Sequence, residues 1–355
     1  MTEIESLKLK ILAGERISDE EALSLYDFDL IELGYLADER RKMIYPFERA
    51  GFIIDRIINY TNVCEAMCLF CAYHARAGLI DPYEMSMDDI LQKVKELVEA
   101  GGRQVMLQGG LNPHYSLEKI CSMIKTVKEK FPDVYLHSFS PAEIIFFSKN
   151  SGKTISQVIK ILKEAGLNSV PGASDMLVDR IRLKVSPKKI SKDEWCSVLY
   201  ALCDNGMGSS ATMTYGLGET LEERIDHLNT VRMVQDKTGI IRAFIPWSFS
   251  SKNTLINDIP PATGLDYLRT VAVARIYLDN IKYIQAGWLT EGLKLAQTAL
   301  AMGANDMGGV LMEETVVKAT GVSTSTNINE LVDIIKNSGK EPALRDSEYN
   351  ILKVF

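Results

Sequence analysis

Four absences frame the sequence. No apolar run approaches the roughly 18 residues that a membrane span needs, so no membrane partner is expected. No basic, apolar leader opens the chain. No Gly-x-Gly-x-x-Gly follows a strand-like run, which removes the usual sign of a doubly wound dinucleotide fold. The four histidines, His74, His114, His137 and His227, are scattered, and no second cysteine pair exists to complete a structural zinc site. Basic excess is missing too. A net charge of −7 argues against a broad nucleic-acid face. With 46% hydrophobic and 25% charged residues, the 355-residue chain is globular and long enough for one large barrel or two ordinary domains.

What is present is concentrated. Three of the six cysteines, Cys64, Cys68 and Cys71, lie within eight residues as C-x3-C-x2-C. They follow Phe52–Ile58, a short apolar, β-branched run that reads as a buried strand. Disulfide frameworks want an even number of cysteines and suit small secreted chains. Three thiolates suit a [4Fe–4S] cluster that leaves one iron free of protein ligands. The plain alternative is three buried apolar cysteines. The other thiols, Cys121, Cys196 and Cys203, fall in helix-like stretches without close spacing, which argues against a second cluster. Free thiols and an oxygen-labile cluster point to a reducing cytoplasm.

From residue 51 onward the pattern alternates. Strand-length apolar runs occur at 53–58, 103–107, 133–139, 167–170, 209–215, 240–246, 281–286 and about 303–308. Amphipathic helix-length segments separate them, with capping signals at Ser86, Ser191 and Thr220. Eight strand-then-helix units predict an α/β fold, a (β/α)8 TIM-type barrel over 51–322. Residues 1–50 read as a helical prelude, with Ser18 and Glu21 forming a capping box. Residues 323–355 read as a helical extension, one helix over roughly Ile328–Ile335 and then a tail, packed on the barrel. Chemistry in such a barrel gathers at the C-terminal strand ends.

The cysteine spacing, with Phe70 just before the last cysteine, resembles the signature of radical S-adenosylmethionine (SAM) enzymes. Asn59–Cys64, Gln108-Gly109-Gly110, Phe139-Ser140-Pro141 and Ala304-Asn305-Asp306 resemble the group that makes futalosine-derived menaquinone precursors and the deazaflavin chromophore. Ala243–Trp247, the run from Ala262 to Arg275 and Leu278–Ile281 are most similar to its futalosine-cyclising branch.

The resemblance implies a [4Fe–4S] cluster on Cys64, Cys68 and Cys71, and SAM on its open iron. It implies that a 5′-deoxyadenosyl radical takes the ribose C4′ hydrogen of dehypoxanthine futalosine. It also implies an electron donor such as flavodoxin or ferredoxin. Phe70 and Tyr73 are candidates to pack on the cluster or adenine, or to fill core. Gln108, Gly109 and Gly110 would bring backbone to the methionyl amine. Ser140 and Asp175 are candidates for SAM and its ribose, with a turn and a helix cap as the plain readings. Arg182 is the candidate for the SAM carboxylate. Thr212, Tyr215, Trp247, Trp288 and Asn305 are candidate substrate contacts. Arg242, with Arg56 and Lys252, is a candidate benzoate anchor. Asp306 and Glu313, or its neighbour Glu314, are candidates for the final proton removal.

Two stretches depart from the family pattern. A Gly-Gly-Gly-Ala-Glu run becomes Pro171-Gly172-Ala173-Ser174-Asp175, and Gly-His-x-Glu becomes Gly216-Leu217-Gly218-Glu219. They keep open a related enzyme with another substrate, of aminofutalosine-synthase or deazaflavin-precursor type. A non-catalytic iron–sulfur protein is the more distant alternative.

Overall fold

The computed structural model describes residues 2–355. Helices α1 (Glu3–Leu12), α2 (Asp19–Ser24) and α3 (Leu30–Ile44) come first. Ser18 and Glu21 do form the capping box that starts α2.

Eight staves follow. The first is a bent pair, β1 (Arg49–Ile53) and β2 (Asp55–Ile58), leading to α4 (Met87–Glu99). Next come β3 (Gln104–Leu107) with α5 (Leu117–Lys130), and β4 (Tyr135–Leu136) with α6 (Pro141–Ser151) and α7 (Ile155–Ala165). Then come β5 (Ser169–Val170) with α8 (Asp179–Val185) and α9 (Lys192–Asp204), and β6 (Gly208–Tyr215) with α10 (Leu221–Thr238). The last are β7 (Ile241–Ser248) with α11 (Gly264–Tyr277), β8 (Tyr283–Ile284) with α12 (Leu293–Ala299), and β9 (Asp306–Gly309).

All stave pairings are parallel. β2–β3–β4 form one run and β5–β6–β7–β8 another, while β9 pairs with β1. Single parallel bridges, His137 to Ser169 and Gln285 to Asp306, join the runs into a ring. The expected barrel is therefore present. Its helices start where side chains cap them, as Ser191 with Glu194 and Thr220 with Glu223 do. The prelude lies along the barrel's flank, with α3 against α11 and α2 against α10. No helix among the described residues is long and apolar enough to cross a membrane.

The C-terminal extension holds the expected helix, and the tail after it is a strand hairpin. One helix, α13 (Ile328–Asn337), gives way to a hairpin of β10 (Glu341–Arg345) and β11 (Ile351–Val354). β10 pairs in parallel with β1, from Arg49 opposite Glu341 to Phe52 opposite Leu344. The hairpin thereby extends the lower half of the first stave, and its turn reaches under the barrel.

Candidate active site at the barrel mouth

The cysteine loop leaves β2 and is pinned from several sides. The Leu111 N–H donates to Cys64 Sγ at 3.3 Å, and the Glu65 N–H to the Leu111 carbonyl at 3.0 Å. The Leu69 N–H reaches the Val185 carbonyl at 2.8 Å. Gly110 makes this approach possible, because a Cβ there would lie 2.1 Å from the Val63 carbonyl oxygen. Gly109 faces the Tyr60 ring in the same way. The two glycines therefore seat the second-strand turn against the cysteine loop.

The donor set suits a cluster. All three thiols are free. Burial pushes the Cys68 thiol up to about 12 and the Cys71 thiol to about 11. Among the described residues no three metal-ligating side chains stand close enough to share one ion. A cubane carries its three thiolates on separate corners, further apart than the ligands of a single ion. Beside Cys71 lies the buried His74 ring, its pKa lowered by burial and by nearby Arg76.

Several anticipated residues sit at this mouth. Phe70 lies under the Lys189 ammonium, 5.8 Å from ring centroid to Nζ. The Tyr73 hydroxyl bonds that of Tyr83, which in turn donates to the Asn59 carbonyl. The Gln108 carbonyl accepts from Asn59 Nδ2 at 3.1 Å. Asp175, at a strained φ of +49°, is not a helix cap; its carboxylate meets Lys189 Nζ at 2.5 Å. On β6 and β7 the partly open rows face inward: Thr212 accepts from the Ser174 N–H, and Trp247 donates to Thr214 Oγ1 at 2.8 Å. Trp288, just past β8, is buried and donates to the Gly309 carbonyl.

Others are elsewhere, for reasons that can be named. Arg182 is a buried clamp, giving four N–H groups to the carbonyls of Ser174, Met176 and Ile190. It has little left for a SAM carboxylate. Ser140 caps α6 and donates to Glu143 Oε2 at 2.8 Å. Tyr215 points outward beneath α10, with Arg224 over its ring at 4.6 Å. Arg242, Asn305 and Asp306 belong to the opposite end, because they sit at or before the first residues of their strands. Arg242 bonds the Ser347 carbonyl and the Tyr135 hydroxyl. Asn305 serves Ile284, Arg275 and the Lys282 carbonyl. Asp306 is locked to Arg345, at 2.5 and 2.8 Å. Glu313 faces α4 outside the barrel, held by Arg56 and Lys93. Glu314 caps the turn at Val317 and Lys318.

Three residues were not anticipated. Lys189 is the cation actually beside the cysteines. Burial opposes its charge, yet Asp175 and the Cys68 thiol outweigh that and hold its pKa above the ordinary lysine value. The Lys188-Lys189 doublet was the available signal, and it reads as surface. Glu143, fully buried, accepts from the Tyr60 hydroxyl at 2.9 Å, the Gly109 N–H at 3.1 Å and Ser140. Burial lifts its pKa to about 7, against the pull of those donors. Glu291, beyond β8, accepts from the Ser248 N–H at 2.9 Å, and burial raises its pKa too.

Relatives agree with this geometry. The Radical SAM superfamily profile matches residues 58–231, and that of the CofH/MqnC C-terminal region matches 237–355. The chain is 37% identical to a cyclic dehypoxanthine futalosine synthase of Halalkalibacterium halodurans, over 99% of this chain and 96% of the relative. The chain belongs to the radical SAM superfamily. It is an enzyme of that class, and its cofactors are a [4Fe–4S] cluster and SAM. A Streptomyces coelicolor protein of the same name is 39% identical over 96% of this chain and 87% of its own length. Equally similar, at 39% over 89% of this chain and 92% of the relative, is an Archaeoglobus fulgidus 5-amino-6-(D-ribitylamino)uracil–L-tyrosine 4-hydroxyphenyl transferase. Methylornithine synthase shares the fold, with a TM-score of 0.74 at 19% identity over 95% of this chain and 97% of that one.

Proposed function

We propose that this radical SAM enzyme cyclises dehypoxanthine futalosine to cyclic dehypoxanthine futalosine, in the cytoplasm, on the futalosine route to menaquinone. The reading rests on full-length likeness to two synthases of that name, together with a three-cysteine loop at the mouth of a closed barrel. When bound, the cluster and SAM supply a 5′-deoxyadenosyl radical; the hard chemistry is the cofactors' own.

The chain's residues hold, orient and exclude water. Cys64, Cys68 and Cys71 hold the cluster. Asp175 and Lys189, paired with each other at 2.5 Å, are the charged groups suited to SAM: the carboxylate for ribose hydroxyls, the ammonium for the methionyl carboxylate. Thr212, Thr214, Trp247 and Trp288 wall the substrate side. Once the ribose C4′ hydrogen is taken, the sugar radical adds to the benzoate ring. Restoring aromaticity releases one proton and one electron, and the oxidised cluster held by the three cysteines would take that electron back. Glu291, at the mouth with a raised pKa, is our choice to take that proton, in place of Glu313 and Asp306. An external donor, a flavodoxin or a ferredoxin, supplies the reducing electron.

Anaerobic reconstitution with SAM, a strong reductant and dehypoxanthine futalosine tests the proposal by mass spectrometry. It expects 5′-deoxyadenosine and a product two hydrogens lighter than the substrate. The transferase reading has its own support, in the equal identity to the archaeal relative and the altered Pro171–Asp175 and Gly216–Glu219 stretches. Untouched substrate, with turnover of 5-amino-6-(D-ribitylamino)uracil and L-tyrosine instead, would decide for it.

A further inference from the structure

Six helices start with a serine or threonine cap and carry glutamate or glutamine three residues on: α1, α2, α6, α7, α9 and α10. In five of them that side chain reaches back to the cap's own backbone N–H and closes a capping box. α6 is the exception. Ser140 caps it by accepting from the Glu143 N–H, yet the Glu143 carboxylate does not return to the Ser140 N–H. It reaches to two other elements instead. Its Oε1 accepts from both the Tyr60 hydroxyl, at 2.9 Å, and the Gly109 N–H, at 3.1 Å, while Oε2 accepts from Ser140 Oγ at 2.8 Å. Glu143 is 1% exposed. Burying a carboxylate is costly, and a helix cap does not require it.

Both of the elements it holds lead to the cysteines. Tyr60 follows β2, four residues before Cys64. Gly109 opens the turn after β3, and a Cβ there would lie 2.6 Å from Tyr60 Cζ, so the absence of a side chain lets one oxygen serve both donors. The next two amides of that turn are fixed in succession. The Gly110 N–H donates to the Thr61 carbonyl at 3.0 Å, and the Leu111 N–H donates to Cys64 Sγ at 3.3 Å. An N–H aimed at a ligating sulfur favours the reduced cluster, which carries one more negative charge, and such bonds help to set cluster potentials.

We propose that Glu143 is a positioning residue for the cluster: its carboxylate holds the Gly109–Leu111 turn so that the Leu111 N–H stays on the Cys64 sulfur, and that hydrogen bond raises the cluster's reduction potential. The inference rests on the seating of the cluster on Cys64 and holds for either substrate.

The test titrates the reconstituted full-length enzyme anaerobically with dithionite through mediators, and reads the reduced cluster by electron paramagnetic resonance. Each oxidised cluster gains one electron from the reductant. Two variants separate reach from charge. Glu143→Asp keeps the carboxylate on a shorter arm. Glu143→Gln keeps the reach, with an amide oxygen to accept from Tyr60 and Gly109. In Glu143→Asp the ratio of reduced to oxidised cluster at a fixed potential should fall about tenfold, a midpoint about 59 mV more negative. In Glu143→Gln it should stay within about twofold of the parent. In the protein before reconstitution, the Leu111 amide should exchange its hydrogen about tenfold faster in Glu143→Asp alone, a readout that does not depend on how well that variant loads. A parent-like midpoint or parent-like Leu111 exchange in Glu143→Asp overturns the positioning role. So does an equal shift in Glu143→Gln, which would make the effect one of charge. Cys64→Ala that still carried the full cluster would strike the seating instead, so the two failures are distinguishable.

Discussion

The barrel's two ends use their polar side chains in opposite ways. At the floor, charge is paired off: Arg345 grips Asp306 through two N–H groups, Arg242 reaches Tyr135 and Ser347, and Gln285 donates to Tyr349, whose ring stacks on Tyr283 at 4.0 Å. None of these floor side chains leaves a buried polar atom without a partner. At the mouth three thiols stay free, and the loops carry strained backbone at Met67, Ala173, Asp175 and Leu311, against Tyr349 alone in the floor hairpin. Paired polar groups close a structure, and the free thiols of the mouth leave it open to a cluster.

Breaking each end should therefore produce opposite phenotypes. The largest effect is Asp306→Ala. It strands the fully buried Arg345 guanidinium and should cost about 3–5 kcal/mol, read from the denaturant midpoint. Cys68→Ala should remove the cluster absorbance and all SAM cleavage while the denaturant midpoint stays near the parent's. If Asp306→Ala kept stability and lost only turnover, the floor would be part of the active site.

The next effect separates two cations. Lys189→Met should weaken SAM binding by about 10–100-fold, the worth of a charge-assisted hydrogen bond of roughly 1.5–3 kcal/mol. Stability should fall less than in Asp306→Ala, because the Asp175 carboxylate left behind is 17% exposed. Arg182→Met should do the reverse, because four buried N–H bonds to carbonyls disappear with it. Equilibrium dialysis of SAM, with thermal melts of the same samples, decides between them.

A third comparison is one of pH. Burial raises the Glu143 pKa to about 7, above the unfolded glutamate value. The unfolded chain thus loses that proton first, and stability falls as pH rises from the unfolded value through about 7. Glu143→Gln should remove this slope. Its amide oxygen still accepts from Tyr60 and Gly109, and its NH2 donates to Ser140. A melting temperature as steep in pH for Glu143→Gln as for the parent would assign the slope elsewhere, with Asp55, lifted by burial to about 6, the next group to test.

These contrasts explain what the sequence could and could not convey. The barrel was legible because apolar strand runs and capping residues are local signals, and the cysteines because their spacing is. Which end of a strand a polar residue occupies is not local. The apolar run at about 303–308 placed Asn305 and Asp306 at its end, yet hydrogen bonding makes Asp306 the first residue of β9. Arg242 follows the first residue of β7 in the same way. The hairpin that supplies Arg345 and Tyr349 was read as helix and tail, so the floor's partners were hidden. Arg182 and Lys189 are seven residues apart in one cationic stretch. Only the fold shows that one is consumed by carbonyls and the other faces the thiols.

The smallest expected effect is also the sharpest check on the floor. Arg242 sits on an inward row of β7, so a benzoate anchor there would be plausible if the cavity ran the barrel's full depth. The structure spends its guanidinium on one carbonyl and one hydroxyl, 2.7 and 2.8 Å away. Arg242→Gln should cost about 1 kcal/mol of stability and leave the KM for the benzoate substrate within about twofold, less than 0.5 kcal/mol. A tenfold rise in KM with unchanged stability would carry the substrate down to the floor. The division between a closed end and a reactive end would then have to be redrawn one layer lower, beneath Asp55.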